Sequence, residues 1–181
     1  MPIRIIGGKY RHRQLKFLLD AATRPTKDRI REAIFSALGD VTINANVLDL
    51  YCGIGTFGLE ALSRGASSST FVDQRSDVIK LVQENLTLLK ENGRLLHLDA
   101  FVALKLLSEE HQQFDLVFFD PPYREPVAEQ LIQQLDAFHL LKDGAIIIYE
   151  GQTAISPSAF TNFYIKDYHY GPTIVQIIRK K

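Results

Sequence analysis

The stretch DLYCGIGTFGLEAL, residues 49–62, decides the fold of this chain. Gly53, Gly55 and Gly58 form a G-x-G-x-x-G motif between an apolar run that predicts a strand and a segment that predicts a helix. Glycines here let the chain turn tightly and let a ligand approach the backbone. Asp73 follows about 20 residues after the first glycine, at the end of the next predicted strand, where an acid can bind both ribose hydroxyls of an adenosine. The stretch therefore predicts an α/β fold that binds an adenosine cofactor.

Outward from this stretch, apolar runs alternate with segments of helical periodicity. This alternation is typical of a parallel sheet covered on both faces, and two final runs around Gly171-Pro172 predict an antiparallel edge. We therefore predict an α/β, Rossmann-like, doubly wound sheet of seven mostly parallel strands. The predicted strands are 46–51, 69–73, 94–99, 114–120, 145–150, 161–170 and 173–181. The predicted helices are 26–38, 57–64, 76–91, 100–107 and 126–135.

Acidic residues follow the carboxyl ends of the predicted strands. They are Asp49, Asp73, Asp99, Asp120 and Glu150. Doubly wound sheets bind ligands beyond the carboxyl ends of their strands. Each acid alone could equally cap a helix or lie in a solvated loop, but together at one rim they favour a ligand site.

The position of Asp49 favours S-adenosylmethionine over a dinucleotide as the cofactor. A carboxylate a few residues before the glycine loop repels a pyrophosphate and attracts the ammonium group of a methionine moiety. Asp99 can accept a hydrogen bond from the adenine amine or cap the helix that begins at Ala100, and both roles can hold. The candidate cofactor-binding residues are Asp49, Tyr51, Cys52, Gly53, Gly55, Asp73, Asp99 and Asp120.

A second motif, FFDPPYRE at residues 118–125, ends a buried strand with an acid, two prolines and a tyrosine. The prolines hold the residues before them extended and remove two ladder donors, which makes a stiff corner beyond the sheet. A planar base could stack on Tyr123 while its exocyclic amine donates to Asp120 and to the Pro121 carbonyl. The candidate catalytic residues are Asp120, Pro121, Pro122 and Tyr123.

Charge is distributed unevenly along a chain whose formal net charge is zero. Residues 1–31 hold nine Lys or Arg against two Asp, which is typical of a surface that binds a polyanion. The single cysteine and the lack of a long apolar run predict a cytoplasmic protein without a membrane span. The five histidines have no metal-ligand spacing, so we expect no metal site.

The order of these motifs resembles a class I S-adenosylmethionine-dependent amino-methyltransferase. RIIGGKYRHRQL, RPTKDRIREAIF and GLEALSRGA further resemble the RsmD family of bacterial 16S ribosomal RNA guanine-N2 methyltransferases, and the similarity covers nearly the whole chain. Two departures from the family pattern stand out. Ile54 lies in a loop where relatives have smaller residues, and His12 stands where a glycine is common, which puts the turn geometry there in question.

The resemblance implies that the glycine loop binds S-adenosyl-L-methionine and that residues 120–123 hold a guanine. It also implies that a basic hairpin and linker, residues 1–25, extend a methyltransferase domain of residues 26–181. The partner would be 16S rRNA, within a small-subunit assembly intermediate. The residues implied to contact RNA are Arg4, Lys9, Arg11, Arg13, Arg24, Lys27, Arg29 and Arg31.

Three other functions compete with this interpretation. A DNA adenine or cytosine amino-methyltransferase would share the D-P-P-Y motif, although the chain is short for an added DNA-recognition domain. A dinucleotide-dependent oxidoreductase would use the same glycine loop but leaves D-P-P-Y unexplained. A non-catalytic RNA-binding or assembly factor would need only the basic segment.

Overall fold

The computed structural model of the chain describes residues 3–18, 28–121 and 127–181. Several residues with predicted roles lie outside these ranges. They are Arg24 and Lys27 of the basic segment and Pro122 and Tyr123 of the D-P-P-Y motif. Predictions that fall on them remain predictions from the sequence.

Within the described residues, seven strands form one sheet in the order β3-β2-β1-β4-β5-β7-β6. The first five strands pair in parallel, and β7 joins β5 and β6 in antiparallel pairs. The predicted mostly parallel, Rossmann-like sheet is thereby confirmed. The strands are β1 Asn46–Leu50, β2 Ser68–Asp73, β3 Arg94–His97, β4 Phe114–Phe119, β5 Leu141–Gly151, β6 Phe163–Tyr170 and β7 Thr173–Lys180.

The helices of the described ranges cover both faces of this sheet. They are α1 Asp28–Leu38, α2 Thr56–Ser63, α3 Ser76–Leu89, α4 Ala100–Glu109 and α5 Ala128–Ala137. One core cluster joins α1 and α2 to Val47, Phe118 and Ile148 of the sheet. A second cluster joins α4 and α5 to residues that alternate with these along the strands, such as Leu48, Phe119 and Tyr149. Because side chains alternate across a strand, each apolar strand supplies both clusters at once.

Within the described residues the predicted elements are confirmed with ends that differ by a few residues, while the predicted helix starts at residues 26 and 126 lie outside those ranges. The largest difference is β5, which begins at Leu141 rather than at residue 145. Residues Lys142, Asp143 and Gly144 are not apolar, so the apolar pattern does not show that β5 begins before residue 145. The register of β5 with β4 also shifts between Phe114 and Leu116. Strand ends are the least certain part of a pattern-based prediction because polar residues can still pair along a ladder.

The N-terminal segment forms an antiparallel pair, as predicted, but with little regular strand. Its isolated bridge joins Arg4 to Gln14, and Ile5 exchanges backbone hydrogen bonds with the other side of the pair. A short 3-10 helix at Gly8–Tyr10 makes the turn. His12 adopts a φ of 70°, the left-handed conformation for which glycine is suited. The departure from the family pattern therefore places an L-residue in a strained position.

This N-terminal pair packs directly onto the sheet domain. Ile3, Ile5 and Leu15 are buried in a third core cluster with side chains of α2 and α3. The predicted division between residues 1–25 and 26–181 remains a prediction. None of the helices in the described ranges has the length and apolar character that a membrane crossing requires.

Candidate functional site

The glycine loop lies at the carboxyl end of β1 and leads into α2. Gly53 and Gly55 have φ values of 52° and 80°, which L-residues rarely adopt. Gly55 is the residue before the first turn of α2, so the N-terminus of this helix lies at the rim of the sheet, next to the loop. A Cβ on Gly58 would overlap the Phe71 ring of β2. The third glycine therefore allows α2 to pack closely on the sheet.

Two predicted cofactor-binding acids fix the shape of this loop. The Gly58 N–H donates to Asp49 Oδ2 at 2.9 Å, and the Gly53 N–H donates to Asp73 Oδ2 at 3.1 Å. The Arg75 N–H donates to the other oxygen of Asp73 at 2.9 Å. The structure thus brings both acids to the loop at the ends of neighbouring strands. Asp49 is buried, whereas Asp73 is half-buried and faces the rim.

Negative charge accumulates at this part of the rim. Burial raises the pKa of Asp49 well above its usual range, the Gly58 N–H opposes this shift, and the charges of Asp73 and Asp120 add to it. Burial also raises the pKa of Asp73, although two backbone donors lower it in part. A positive charge placed near such acids would lower their pKa values and favour their ionised forms. The site therefore suits a ligand that carries a cation rather than a pyrophosphate.

Tyr51 and Cys52 connect β1 to the glycines. Tyr51 is half-buried and has a φ of 54°, an uncommon conformation for an aromatic residue. Cys52 is buried, and burial together with the charges of Asp49 and Asp73 raises the pKa of its thiol well above the usual range. A thiol in this environment stays protonated and is not a nucleophile.

Asp99 caps α4, as one of its two predicted roles requires. Its Oδ1 accepts hydrogen bonds from the N–H groups of Phe101 at 2.9 Å and Val102 at 3.4 Å. The side chain is exposed at the carboxyl end of the sheet. Binding of an adenine amine by Asp99 remains a prediction.

Asp120 lies at the end of β4, directly beyond the buried Phe119. Burial and the negative charge of Glu150 raise its pKa from 3.8 to about 7. Pro121, the next residue, is buried. Neutral pH therefore lies near the point at which this carboxyl group exchanges its proton, a property common among groups at active sites.

Glu150 belongs to the predicted rim acids but not to the predicted site residues. It lies near the end of β5, the strand beside β4, and is 5% exposed. A signal is present in the sequence, since LVFFD and IIIYE end in an acid at the same step of two apolar strands. The sequence alone does not reveal the register that brings the two acids together.

A buried ion cluster attaches the N-terminal segment to α2. Glu60 is 0% exposed and accepts from the N–H groups of Ile6 at 2.8 Å and Gly7 at 2.7 Å. The Nε of Arg64 lies 2.8 Å and that of Arg31 lies 3.8 Å from its carboxylate. Sequence reasoning missed this role because Glu60 stands in an apolar helix segment, and most of its partners are distant in the sequence.

Asn85 of α3 joins the N-terminal segment to the glycine loop. Its Oδ1 accepts from the Lys16 N–H at 2.8 Å, and its Nδ2 donates to the Lys16 carbonyl at 3.1 Å and to the Ile54 carbonyl at 3.4 Å. The side chain is fully buried. The basic segment and the candidate cofactor loop therefore share one buried amide.

The basic residues predicted to contact RNA separate into two environments. Those on the surface are Arg4, Lys9, Arg11, Arg13 and Arg29. Arg31 is 1% exposed, and its Nη2 donates to the Arg4 carbonyl at 2.6 Å. Because Arg31 is enclosed beside Glu60, contact with RNA would require it to leave this ion cluster. Within the described ranges, no group of three or more His, Cys, Asp or Glu side chains could hold a metal ion.

Comparison with known proteins gives consistent results along the whole chain. The model of a family described as Conserved hypothetical protein 95 matches residues 3–179. Ribosomal RNA small subunit methyltransferase D of Escherichia coli (strain K12) is 37% identical over 151 residues, which cover 83% of this chain and 75% of that protein.

Solved structures agree with the fold. The Escherichia coli protein yhhF superposes with a TM-score of 0.88 at 32% identity, covering 100% of this chain and 99% of that one. RsmC of T. thermophilus, a 16S rRNA N2 methyltransferase in complex with AdoMet and guanosine, superposes with a TM-score of 0.77 over 100% of this chain and 50% of that chain. Its identity is 19%, so this likeness shows the fold alone.

Proposed function

This chain belongs to the RsmD family, and from that premise we propose that it transfers a methyl group from S-adenosylmethionine to the exocyclic N2 amine of a guanine in 16S ribosomal RNA. Its fold is that of the class I methyltransferases. The observation that carries the proposal is the acidic rim, where Asp49, Asp73 and Asp120 lie at the carboxyl ends of neighbouring parallel strands around a glycine loop.

The charge of this rim supports S-adenosylmethionine as the cofactor. When bound, it supplies a methyl group on a sulfonium, which is already activated for transfer. Asp73 is placed beside Gly53 at the rim, where it can hold the ribose hydroxyls. Burial raises the pKa of Asp49, and a positive group of the cofactor placed nearby would favour its ionised form, whereas a pyrophosphate would oppose it. The residues present therefore fit the cofactor.

Asp120 positions the amine that accepts the methyl group. Its carboxylate and the Pro121 carbonyl accept the two N2 hydrogens, which directs the nitrogen lone pair out of the base plane. Tyr123, which lies outside the described residues, would stack on the base, a contact worth about 1–3 kcal/mol. Alignment of the two reactants can supply several kcal/mol more. Methyl transfer leaves a positive charge on the nitrogen, and loss of one amine proton restores the neutral, methylated amine.

The N-terminal segment supplies the contact with RNA. Its exposed cations, among them Arg11 and Arg13, are suited to phosphates and carry no base specificity. A base must leave its stack to reach a rim of this kind, and bases in loops do so most easily. We therefore expect a cytoplasmic substrate in which the RNA loop is already shaped, such as a partly assembled small subunit.

The activity can be tested directly on ribosomal subunits. Small subunits from a strain that lacks the orthologous gene are incubated with this protein and methyl-labelled S-adenosylmethionine, and the RNA is digested to nucleosides. We expect label in N2-methylguanosine. Label in no nucleoside, or only in methylated adenine or cytosine, contradicts the proposal. Naked DNA as the acceptor tests the DNA-methyltransferase alternative in the same assay.

Cofactor choice can be tested without the RNA substrate. S-adenosylhomocysteine is expected to raise the melting temperature of the protein, because a ligand that binds only the folded state stabilises it. NAD at the same concentration is expected to leave the melting temperature unchanged. The opposite result would favour an oxidoreductase.

A further inference from the structure

We propose that one face of the edge strand β6 binds a single-stranded part of the substrate RNA that continues from the methylated base. This surface, which we call the tyrosine face, consists of Tyr164, Lys166, Tyr168 and Tyr170 of β6 and Arg179 of β7. The inference rests on the proposed function, because it adds a second RNA contact beside the same rim of the sheet.

The alternation of side chains along β6 defines the tyrosine face. Tyr168 packs against the core cluster of α1 and α2, whereas Ile165 packs against the cluster of α4 and α5. Because alternate side chains of a strand lie on the same face, Tyr164 and Lys166 share the face of Tyr168. Arg179 pairs with Tyr164 and extends this face onto β7.

The Tyr164 ring is open to solvent. Its exposed fraction of 65% is the highest among the exposed large apolar side chains of residues 3–18, 28–121 and 127–181. Aromatic rings on the surface of a sheet serve as platforms on which the bases of single-stranded RNA stack. A lysine on an edge strand can also protect it from pairing with another chain, but that role requires no exposed ring beside the lysine.

Positive charge accompanies the rings of the tyrosine face. Lys181 Nζ lies 4.9 Å from the centroid of the Tyr164 ring, and Lys166 Nζ lies 5.1 Å from that of Tyr168. The acid in the sequence of these two strands, Asp167, lies on the opposite face, where its Oδ1 accepts from Gln176. Rings and cations together suit the bases and the phosphates of a single strand.

The register of the sheet connects the tyrosine face to the rim. Both β5 and β6 pair in antiparallel fashion with β7, so β6 runs parallel to β5 and ends at the same rim. His169 pairs with Ile174, which in turn pairs with Gly151 at the end of β5. The 8 residues of β6 span about 25 Å. An RNA strand whose base lies at Asp120 can therefore continue from the rim along β6.

The first test measures binding of a short, protein-free, single-stranded RNA of mixed sequence by the whole chain at low salt. Tyr164→Leu should raise Kd at least about fivefold, because it keeps an apolar side chain but removes the ring on which a base stacks. Tyr164→Phe keeps the ring and is the matched control, which should bind like the wild type. A duplex RNA should bind equally to all three proteins, because its bases are already stacked.

The second test addresses the cations. Lys166→Gln should lower the dependence of log K on log salt for the single-stranded RNA by about 0.7. Lys105→Gln removes an exposed cation of α4, on the other face of the sheet, and should leave this dependence unchanged. Equal salt dependences in the two variants contradict a phosphate contact at Lys166.

The third test uses small subunits as the substrate for methylation. Tyr164→Leu should raise KM for the subunit about fivefold and leave kcat and the affinity for S-adenosylhomocysteine at wild-type values, because the ring contributes to binding and not to the chemical step.

The outcomes distinguish this inference from the proposed function. A wild-type Kd of Tyr164→Leu for single-stranded RNA overturns the inference, even where KM for the subunit rises, because the face then contacts a ribosomal protein. Equal losses of single-stranded and duplex binding overturn it as well. Methylation of guanine by the wild type stands in both cases. If the wild type methylates no base but its binding of single-stranded RNA depends on Tyr164, the proposed function fails and the RNA-binding role of the face is supported.

Discussion

Two enclosed acids in this protein, Glu60 and Asp120, have opposite electrostatic surroundings. Glu60, under the N-terminal segment, accepts two backbone hydrogen bonds and faces the guanidinium groups of Arg31 and Arg64. Asp120, at the rim, faces another acid, Glu150, and both burial and that charge raise its pKa. One acid is paired with cations, whereas burial and a neighbouring negative charge raise the pKa of the other.

The difference distinguishes a buried acid that stabilises the fold from an acid that belongs to a candidate functional site. Burying a charge is costly unless it is paired and hydrogen-bonded, and Glu60 meets that condition with residues from three parts of the chain. At the rim, burial and the charge of Glu150 raise the pKa of Asp120, and shifted pKa values are common where a site is shaped for a ligand.

Glu60→Ala should cause the largest decrease in stability. The substitution leaves the buried Arg31 with only the part-exposed carboxylate of Asp28, and it leaves two backbone N–H groups without an acceptor. We expect a decrease of about 3–5 kcal/mol in the free energy of unfolding, measured by urea denaturation. Glu84→Ala, which removes an exposed ion pair with Lys16, is the matched control and should cost at most about 1 kcal/mol. Equal decreases in the two variants would show that Glu60 is not a compensated buried charge.

Asp120→Ala should remove activity and leave the fold intact. The variant lacks the carboxylate that positions the amine, so we expect kcat to fall by about 10²–10³-fold. S-adenosylhomocysteine binding, measured by calorimetry, should survive because Asp73 and the glycine loop are unchanged. Full turnover by this variant would refute the proposed role of Asp120.

Asp120→Asn should stabilise the protein at alkaline pH. The pKa of Asp120 is about 7 in the folded protein, above the ordinary value of 3.8, so the folded state binds this proton more tightly than the unfolded state. This acid therefore lowers stability as pH rises from about 4 to about 7. We expect Asp120→Asn to exceed the wild type by about 1–3 kcal/mol at pH 8 and to show little difference at pH 4, by urea denaturation. A constant difference at both pH values would contradict the pKa assignment.

Replacing Arg11 and Arg13 by Gln should produce the smallest effect, confined to binding of the subunit. Removing one cation that neutralises a phosphate lowers the salt dependence of log K by about 1, so the double variant should bind more weakly and with a shallower slope. Lys105→Gln, an exposed cation on α4 at the opposite face of the sheet, is the control. An unchanged salt dependence of log K in the double variant would show that these two side chains do not contact the RNA.

Local signals made much of the architecture predictable. The alternation of apolar strands and helices, the left-handed glycines and the position of Asp73 all depend on residues close in sequence. Prediction was weaker where a charge has a distant partner. Arg31 belongs to a basic segment that resembles an RNA contact, yet it lies buried beside Glu60.

The sequence by itself determined the elements of the sheet, the rim at which its acids gather and the motifs of a methyltransferase. Tertiary structure alone decided which acids become neighbours and which are compensated. Asp120 and Glu150 meet because two separate strands pair in one register, and Glu60 meets the N-terminal segment because α2 packs beneath it. Local patterns fix which way a side chain points along its own element, but contact between distant charges depends on how whole elements pack.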